Sequence, residues 1–138
     1  MNTRDQIRHT SDLLYAAWNA HDAAAIAILY ADDAEIVDVT GGTTMTGRAL
    51  IYAGAVDRLA GFPDLALHRH RSLIDGRTCA ERWVMTGTQT GVYQGLPASG
   101  HAVEVAGATF SEMNVDGLIA RDTHYIDVPT LLRQLGID

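Results

Sequence analysis

The stretch LALHRHRSLIDGRTCAERWVMTGTQT, residues 65–90, and the stretch AVEVAGATFSEMNVDGLIARDTHYID, residues 102–127, decide the fold. Each sets two β-rich runs around an Asp-Gly pair, Asp75-Gly76 in the first and Asp116-Gly117 in the second. Tight hairpin turns need positive φ, which glycine supplies without steric cost. The pattern predicts four long strands, about Leu65–Ile74, Thr78–Thr90, Ala102–Asn114 and Leu118–Asp127, with the glycine-flanked VYQGLPAS (92–99) as the longer loop between hairpins.

Outward from this block the chain turns helical. Ile7, Leu14, Ala17 and Trp18 recur at helical spacing and predict a helix over Thr3 to Ala20. Asp22 is placed to cap a second helix, Ala23 to Tyr30. Ala34 to Val39 reads as a strand with Glu35 and Val37 on one face and Ile36 and Asp38 on the other, ended by Gly41-Gly42. Thr46 is placed to cap a third helix, Gly47 to Leu59, and Pro129 to Leu135 forms a closing helical turn or two. Helices first and an antiparallel meander second give an α+β class. The expected architecture is a cone-shaped curved antiparallel sheet wrapped around the N-terminal helices, with a pocket at its wide end.

Composition narrows the function classes. At 138 residues the chain has room for one domain, 1–138, and 47% hydrophobic with 20% charged residues is globular composition. The charge is 10 − 17 = −7 with no basic stripe, which argues against nucleic acid. No apolar run approaches the ~20 residues of a membrane span. The polar start MNTRDQIRHTSD does not read as a secretion signal, and a lone cysteine, Cys79, allows no internal disulfide, so a cytoplasmic location is expected. All ten cationic side chains are arginine, which removes lysine Schiff-base chemistry and any P-loop.

Asp122 and His124 form the sharpest local signal. At i and i+2 on a strand they face one way, with Ile126, and in a cone that way is inward. Burial raises a carboxylate's pKa and lowers an imidazole's, which brings such a pair toward acid–base work near neutrality. A slip of one residue would instead bring in Arg121, Thr123 and Tyr125. Asp38 interrupts the apolar run AEIVDV and is either a second acid/base or a cap on the glycine turn. Trp18, Tyr30, Tyr52, Trp83 and Phe110 are large aromatics that serve as core or as pocket wall. His21-Asp22 reads as a helix junction. His68 and His70 alternate with Arg69 and Arg71 without a matching ligand set, so a metal is not expected, and Cys79 lacks the basic setting of a nucleophile.

Two stretches resemble a known superfamily. Trp18 to Arg48, WNAHDAAAIAILYADDAEIVDVTGGTTMTGR, looks like the opening of nuclear-transport-factor-2-like domains, the cystatin-like α+β barrel of ketosteroid isomerases and polyketide cyclases. GTQTGVYQGLPASGHAVEV (87–105) and GLIARDTHYIDVPTLLRQLG (117–136), with the PDL at 63–65, resemble the SnoaL-like polyketide cyclase branch. The ketosteroid isomerase likeness places a general-base aspartate on Asp38 and the oxyanion tyrosine on Leu14, one residue from Tyr15. It places the second oxyanion donor near Thr109 and a supporting tyrosine near Ala55. The base remains and the donors are largely gone, so ordinary ketosteroid isomerisation is not implied. The cyclase likeness places the acid/base aspartate on Asp122.

The resemblance implies a small cofactor-independent lyase, isomerase or cyclase acting on an apolar or aromatic, carbonyl-bearing, polyketide-like molecule. Asp122, His124 and Asp38 are its expected catalytic groups, and Trp18, Trp83, Tyr52, Thr109 and Phe110 its expected substrate contacts. An alternative is epoxide opening of the limonene-epoxide-hydrolase type, with Asp38 and Asp122 bridged by Arg82 or Arg121. A second is a ligand-binding domain without catalysis. A homodimer through the sheet face is expected from apolar groups on both faces of the strands, among them Trp83, Met85, Val84, Phe110 and Met113. If His124 serves as an acid, activity should fall on the alkaline side.

Overall fold

The computed structural model describes residues 1–137. Its elements are, in chain order, α1 (Thr3–Asn19), α2 (Ala23–Ala27), β1 (Tyr30–Asp38), β2 (Thr43–Thr46), α3 (Arg48–Gly61), β3 (Ala66–Asp75), β4 (Thr78–Thr88), β5 (Ala102–Met113), β6 (Ile119–Ile126) and α4 (Val128–Gln134). The strands form one six-stranded sheet in the order β2-β1-β6-β5-β4-β3. The α+β class and the four-strand meander stand as expected. The sheet is mixed, because β1 lies parallel to β6 while every other pair is antiparallel. Without β1, β6 would present an open row of backbone donors and acceptors.

The first strand starts earlier than its apolar run. From Leu29 onward the backbone bonds to neighbours rather than to a helix: Ile119 donates to the Leu29 carbonyl, and the Arg48 guanidinium donates twice to that of Tyr30, at 3.1 and 2.6 Å. The second helix therefore stops at Ala27, capped at its start by Asp22 as expected. Thr46 is no helix cap. It ends β2 opposite Glu35, and Gly47 holds the cap position at φ 97°, a conformation that glycine adopts freely.

The buried apolar residues form two clusters that share the partly buried Trp18 and Leu59. One gathers Ile7, Leu14, Ile26 and Ile119 under α1 and α2, and the other gathers Phe62, Trp83, Tyr93 and Val105. Trp83, Met85 and Met113 are buried, so the apolar surface expected on the outer sheet face shrinks. Phe110 and Tyr125 remain there, both half exposed and packed edge to face at 6.2 Å. Among the described residues no helix is long and apolar enough to cross a membrane.

Candidate active site

Strand register assembles the site in rows. One row runs Ile36, Asp122, Ser111, Cys79 across β1, β6, β5 and β4. The next runs Asp38, His124, Thr109, Glu81, and the third runs Ile126, Gly107, Trp83, Arg69 into β3. Residues in one row point to the same sheet face, and alternate rows along each strand repeat it. That face looks into a cavity of about 150 Å³ whose wall includes Asp122, His124, Asp38, Glu81, Thr109 and Trp83. A second chamber of about 260 Å³ adjoins it and shares Asp38, Arg58, Trp83, Met85, Gln94 and Ile126.

Asp122 is fully buried, and both carboxylate oxygens are engaged. The Tyr30 hydroxyl donates to Oδ2 and the Ser111 hydroxyl to Oδ1, each at 2.5 Å. Burial raises the Tyr30 hydroxyl far above its ordinary pKa, and the Asp122 charge adds to this, so Tyr30 stays a donor. His124 Nε2 lies 3.9 Å from Asp122 Oδ2. Its Nδ1 is 2.7 Å from Thr109 Oγ1, which accepts from Trp83 Nε1 at 2.9 Å. The indole only donates, so the Thr109 hydroxyl keeps its own proton free to give to Nδ1, an arrangement that leaves the imidazole proton on Nε2, toward the carboxylate. Burial lowers the His124 pKa, against the attraction of Asp122.

Asp38 is the cap on the glycine turn, its Oδ1 accepting from Gly41 N–H at 2.9 Å, and it also has a place on the cavity wall. Trp18, Trp83 and Thr109 line the cavity as expected of wall residues. Tyr52 and Phe110 do not belong there. Tyr52 follows the buried Ile51 on α3 and turns to solvent, and Phe110 alternates with the inward Thr109 and Ser111 and so faces out. Arg82 and Arg121 are likewise exposed, one residue from inward Glu81 and Asp122, so neither bridges carboxylates in the cavity. His68 and His70 are exposed on β3 beside a register shift, and burial pushes the Cys79 thiol's pKa up.

Three inward groups, Ser111, Glu81 and Arg58, had no separate signal in the sequence, and Tyr15 had only its place one residue from the expected oxyanion position. Ser111 looks like any strand serine until register sets it beside Asp122. Glu81 accepts from Ser11 at 2.6 Å, Ser72 at 2.8 Å and Arg69 at 3.4 Å. Tyr15 lines the same wall, and its pKa is raised by burial and by Glu81. Arg58 reaches in from α3. Among the described residues no group of three His, Cys, Asp or Glu side chains is gathered for a metal ion.

A family model described as SnoaL-like polyketide cyclase matches residues 8–135. No curated protein matches the sequence. Solved structures do. A candidate SnoaL-like polyketide cyclase from Jannaschia sp. CCS1 aligns at TM-score 0.86 with 18% identity, covering 97% of this chain and 94% of that one. IdmH, a candidate polyketide cyclase from Streptomyces antibioticus, aligns at TM-score 0.78 with 28% identity, covering 96% of this chain and 99% of that one. A protein of ketosteroid isomerase-like fold from Catenulispora acidiphila DSM 44928, in complex with trimethylamine, aligns at TM-score 0.80 with 23% identity, covering 94% and 93%.

Proposed function

The chain belongs to the SnoaL-like polyketide cyclase family, and from that premise we propose that it closes or isomerises a ring in an apolar, carbonyl-bearing, polyketide-like molecule by acid–base catalysis. The observation that carries this is Asp122, a fully buried carboxylate held by two hydroxyls on the cavity wall beside the neutral face of His124. Asp122 takes a proton from a carbon next to a carbonyl, and the electron pair moves onto that carbonyl's oxygen. The enolate carbon then attacks a second carbonyl and forms the ring bond. The new alkoxide recovers the proton from Asp122, while His124 Nε2–H donates a hydrogen bond to the reacting oxygen. Asp38, at the junction of the two chambers, is the second acid/base. A cavity near 150 Å³ holds a single benzene-sized ring, so a polycyclic substrate extends into the second chamber.

Asp122→Asn keeps the shape and removes the base. Assayed on linear polyketide-like ketoesters that the wild type turns over, it should lose about 10²–10⁴ in rate. A variant within about threefold of wild type removes the role, being far short of an acid–base loss. The homodimer belongs to the same reading, supported by the exposed Phe110–Tyr125 pair on the outer face. Sedimentation showing only monomer at micromolar concentration would remove it.

A further inference from the structure

Arg58 is the one cation on the wall of either chamber among the described residues, and it lines both. A guanidinium carries five N–H donors and no acceptor. Among the described residues Arg58 makes a single side-chain hydrogen bond, to the Tyr93 hydroxyl at 3.3 Å, and no carboxylate lies within 4.0 Å. Among the described residues no buried side-chain nitrogen is left without a partner, so the other N–H groups of Arg58 keep accessible surface, on a side chain that lines both chambers. Of the carboxylates on the wall, Asp122 is held by Tyr30 and Ser111 and Glu81 by Ser11, Ser72 and Arg69, while Asp38 bonds the Gly41 N–H through Oδ1 alone and acts on the guanidinium only through its charge, from beyond ion-pair distance. The guanidinium is flanked by the rings of Trp18 at 5.7 Å and Tyr93 at 6.0 Å, which fix its plane without using its donors. A held cation on the wall of both chambers, with no carboxylate in ion-pair contact among the described residues, has room for an anion.

We propose that Arg58 supplies that place to the substrate: it binds the anionic oxygen of the enolate, and the enzyme takes substrates whose reacting carbonyl gives a delocalised oxyanion. This rests on the proton-abstraction reading above. When Asp122 removes the carbon-bound proton, negative charge moves to the carbonyl oxygen. Arg58 N–H groups pointing there stabilise the enolate more than the neutral ketone, which is the condition for catalysis. Arg58 thereby takes over the task of the donors that a ketosteroid isomerase site would have at Leu14 and Thr109. Leu14 has no donor, and Thr109 is committed to His124.

The probe is 2-naphthol, a two-ring molecule whose ionised form is a delocalised oxyanion, with naphthalene as the matched neutral ring. Binding is read by quenching of tryptophan fluorescence, since Trp18 and Trp83 line the cavity, and ionisation by the absorbance of the bound naphtholate. Wild type should bind the anion at least about tenfold tighter than neutral 2-naphthol, seen as a drop of about one pH unit or more in the ligand's ionisation midpoint. Arg58→Gln should abolish that drop while binding naphthalene as before, and Tyr15→Phe should leave the drop in place. A drop that survives Arg58→Gln, or one that vanishes in Tyr15→Phe, overturns the assignment. Naphthalene binding with no drop in wild type overturns it too, while the apolar-ring reading stands. Binding of neither ligand overturns both.

Discussion

The Tyr30 hydroxyl and the Asp122 carboxylate meet at 2.5 Å across the parallel pair of β1 and β6, 92 residues apart in sequence. The contact exists because β1 enters the sheet beside β6 and brings the buried start of one strand over the buried middle of the other. Tyr30→Phe keeps the ring and deletes the one donor on Oδ2. Leaving a buried carboxylate oxygen unpartnered should cost about 1–3 kcal/mol in a urea titration. In an Asp122→Asn background the same change should cost clearly less, because the pair is already broken. An equal cost in both backgrounds would mean that Tyr30 only packs.

His124 makes the fold sensitive to acid. Burial pushes its pKa below the ordinary value; Asp122 opposes this, Arg58 adds to it and Asp38 opposes it. The unfolded chain has an ordinary imidazole that takes up its proton near pH 6.5. As pH falls through that value the unfolded state gains the proton before the folded state does, so stability drops toward acid. Between roughly pH 7.5 and 5.5 the wild type should lose more stability than His124→Gln, since only the wild type carries this imidazole. The direction also revises the expectation of an alkaline limb. His124 is neutral above its lowered pKa, so the limb it governs lies on the acid side, and pH–rate profiles of wild type and His124→Gln should part there.

The strand order of the second half and the inward face of Asp122 and His124 were legible because period-two alternation and two Asp-Gly turns fix register locally. The strand state of Tyr30 with its bond to Asp122, and the inward places of Ser111 and Arg58, were not, for three different reasons. Tyr30 sits at the edge of a helix-forming alanine run, and its strand state is imposed by partners from α3 and β6. Ser111 acquires meaning only from the strand paired with it. Arg58 shares the pattern of an ordinary exposed helix arginine, and only the placement of α3 over the sheet turns it inward. Phe110 and Tyr52 show the converse: aromatic character drew them toward the pocket, and alternation on the strand and facing on the helix send them out.

The Arg69 group separates what holds the fold from what decorates it. Arg69 bonds Asp12 at 2.6 Å at an exposed end and Glu81 at 3.4 Å at a buried one, with its guanidinium 5.1 Å from the Tyr15 ring. Asp12→Ala removes an exposed pair, worth about 0–1 kcal/mol. Arg69→Ala strips Glu81, 4% exposed, of its counter-charge, and breaking a buried pair costs about 3–5 kcal/mol, less here because Arg69 itself is 28% exposed. Chemical denaturation should therefore rank Arg69→Ala well above Asp12→Ala. The reverse order would show that the two serines alone satisfy Glu81.

Gly107 leaves no room for a side chain on the cavity face of the sheet. In its row the Trp83 indole lies across from β4, and a methyl group at Gly107 would stand 2.4 Å from Cζ2 and 2.5 Å from Cη2 of that ring. No atom can remain there, and the neighbour that must move is a rigid bicycle rather than a flexible chain end. The indole cannot retreat freely, since Trp83 is 6% exposed within the second hydrophobic cluster. Gly107→Ala should therefore cost about 1–3 kcal/mol from overpacking. It should also pull Trp83 Nε1 away from Thr109 Oγ1, loosening the chain that holds Nδ1 of His124. Near-ultraviolet circular dichroism should register the displaced indole. Activity should fall further than in Thr109→Ser, which keeps the hydroxyl. A Gly107→Ala protein with wild-type stability and an unchanged tryptophan spectrum would show that the indole does not occupy this place.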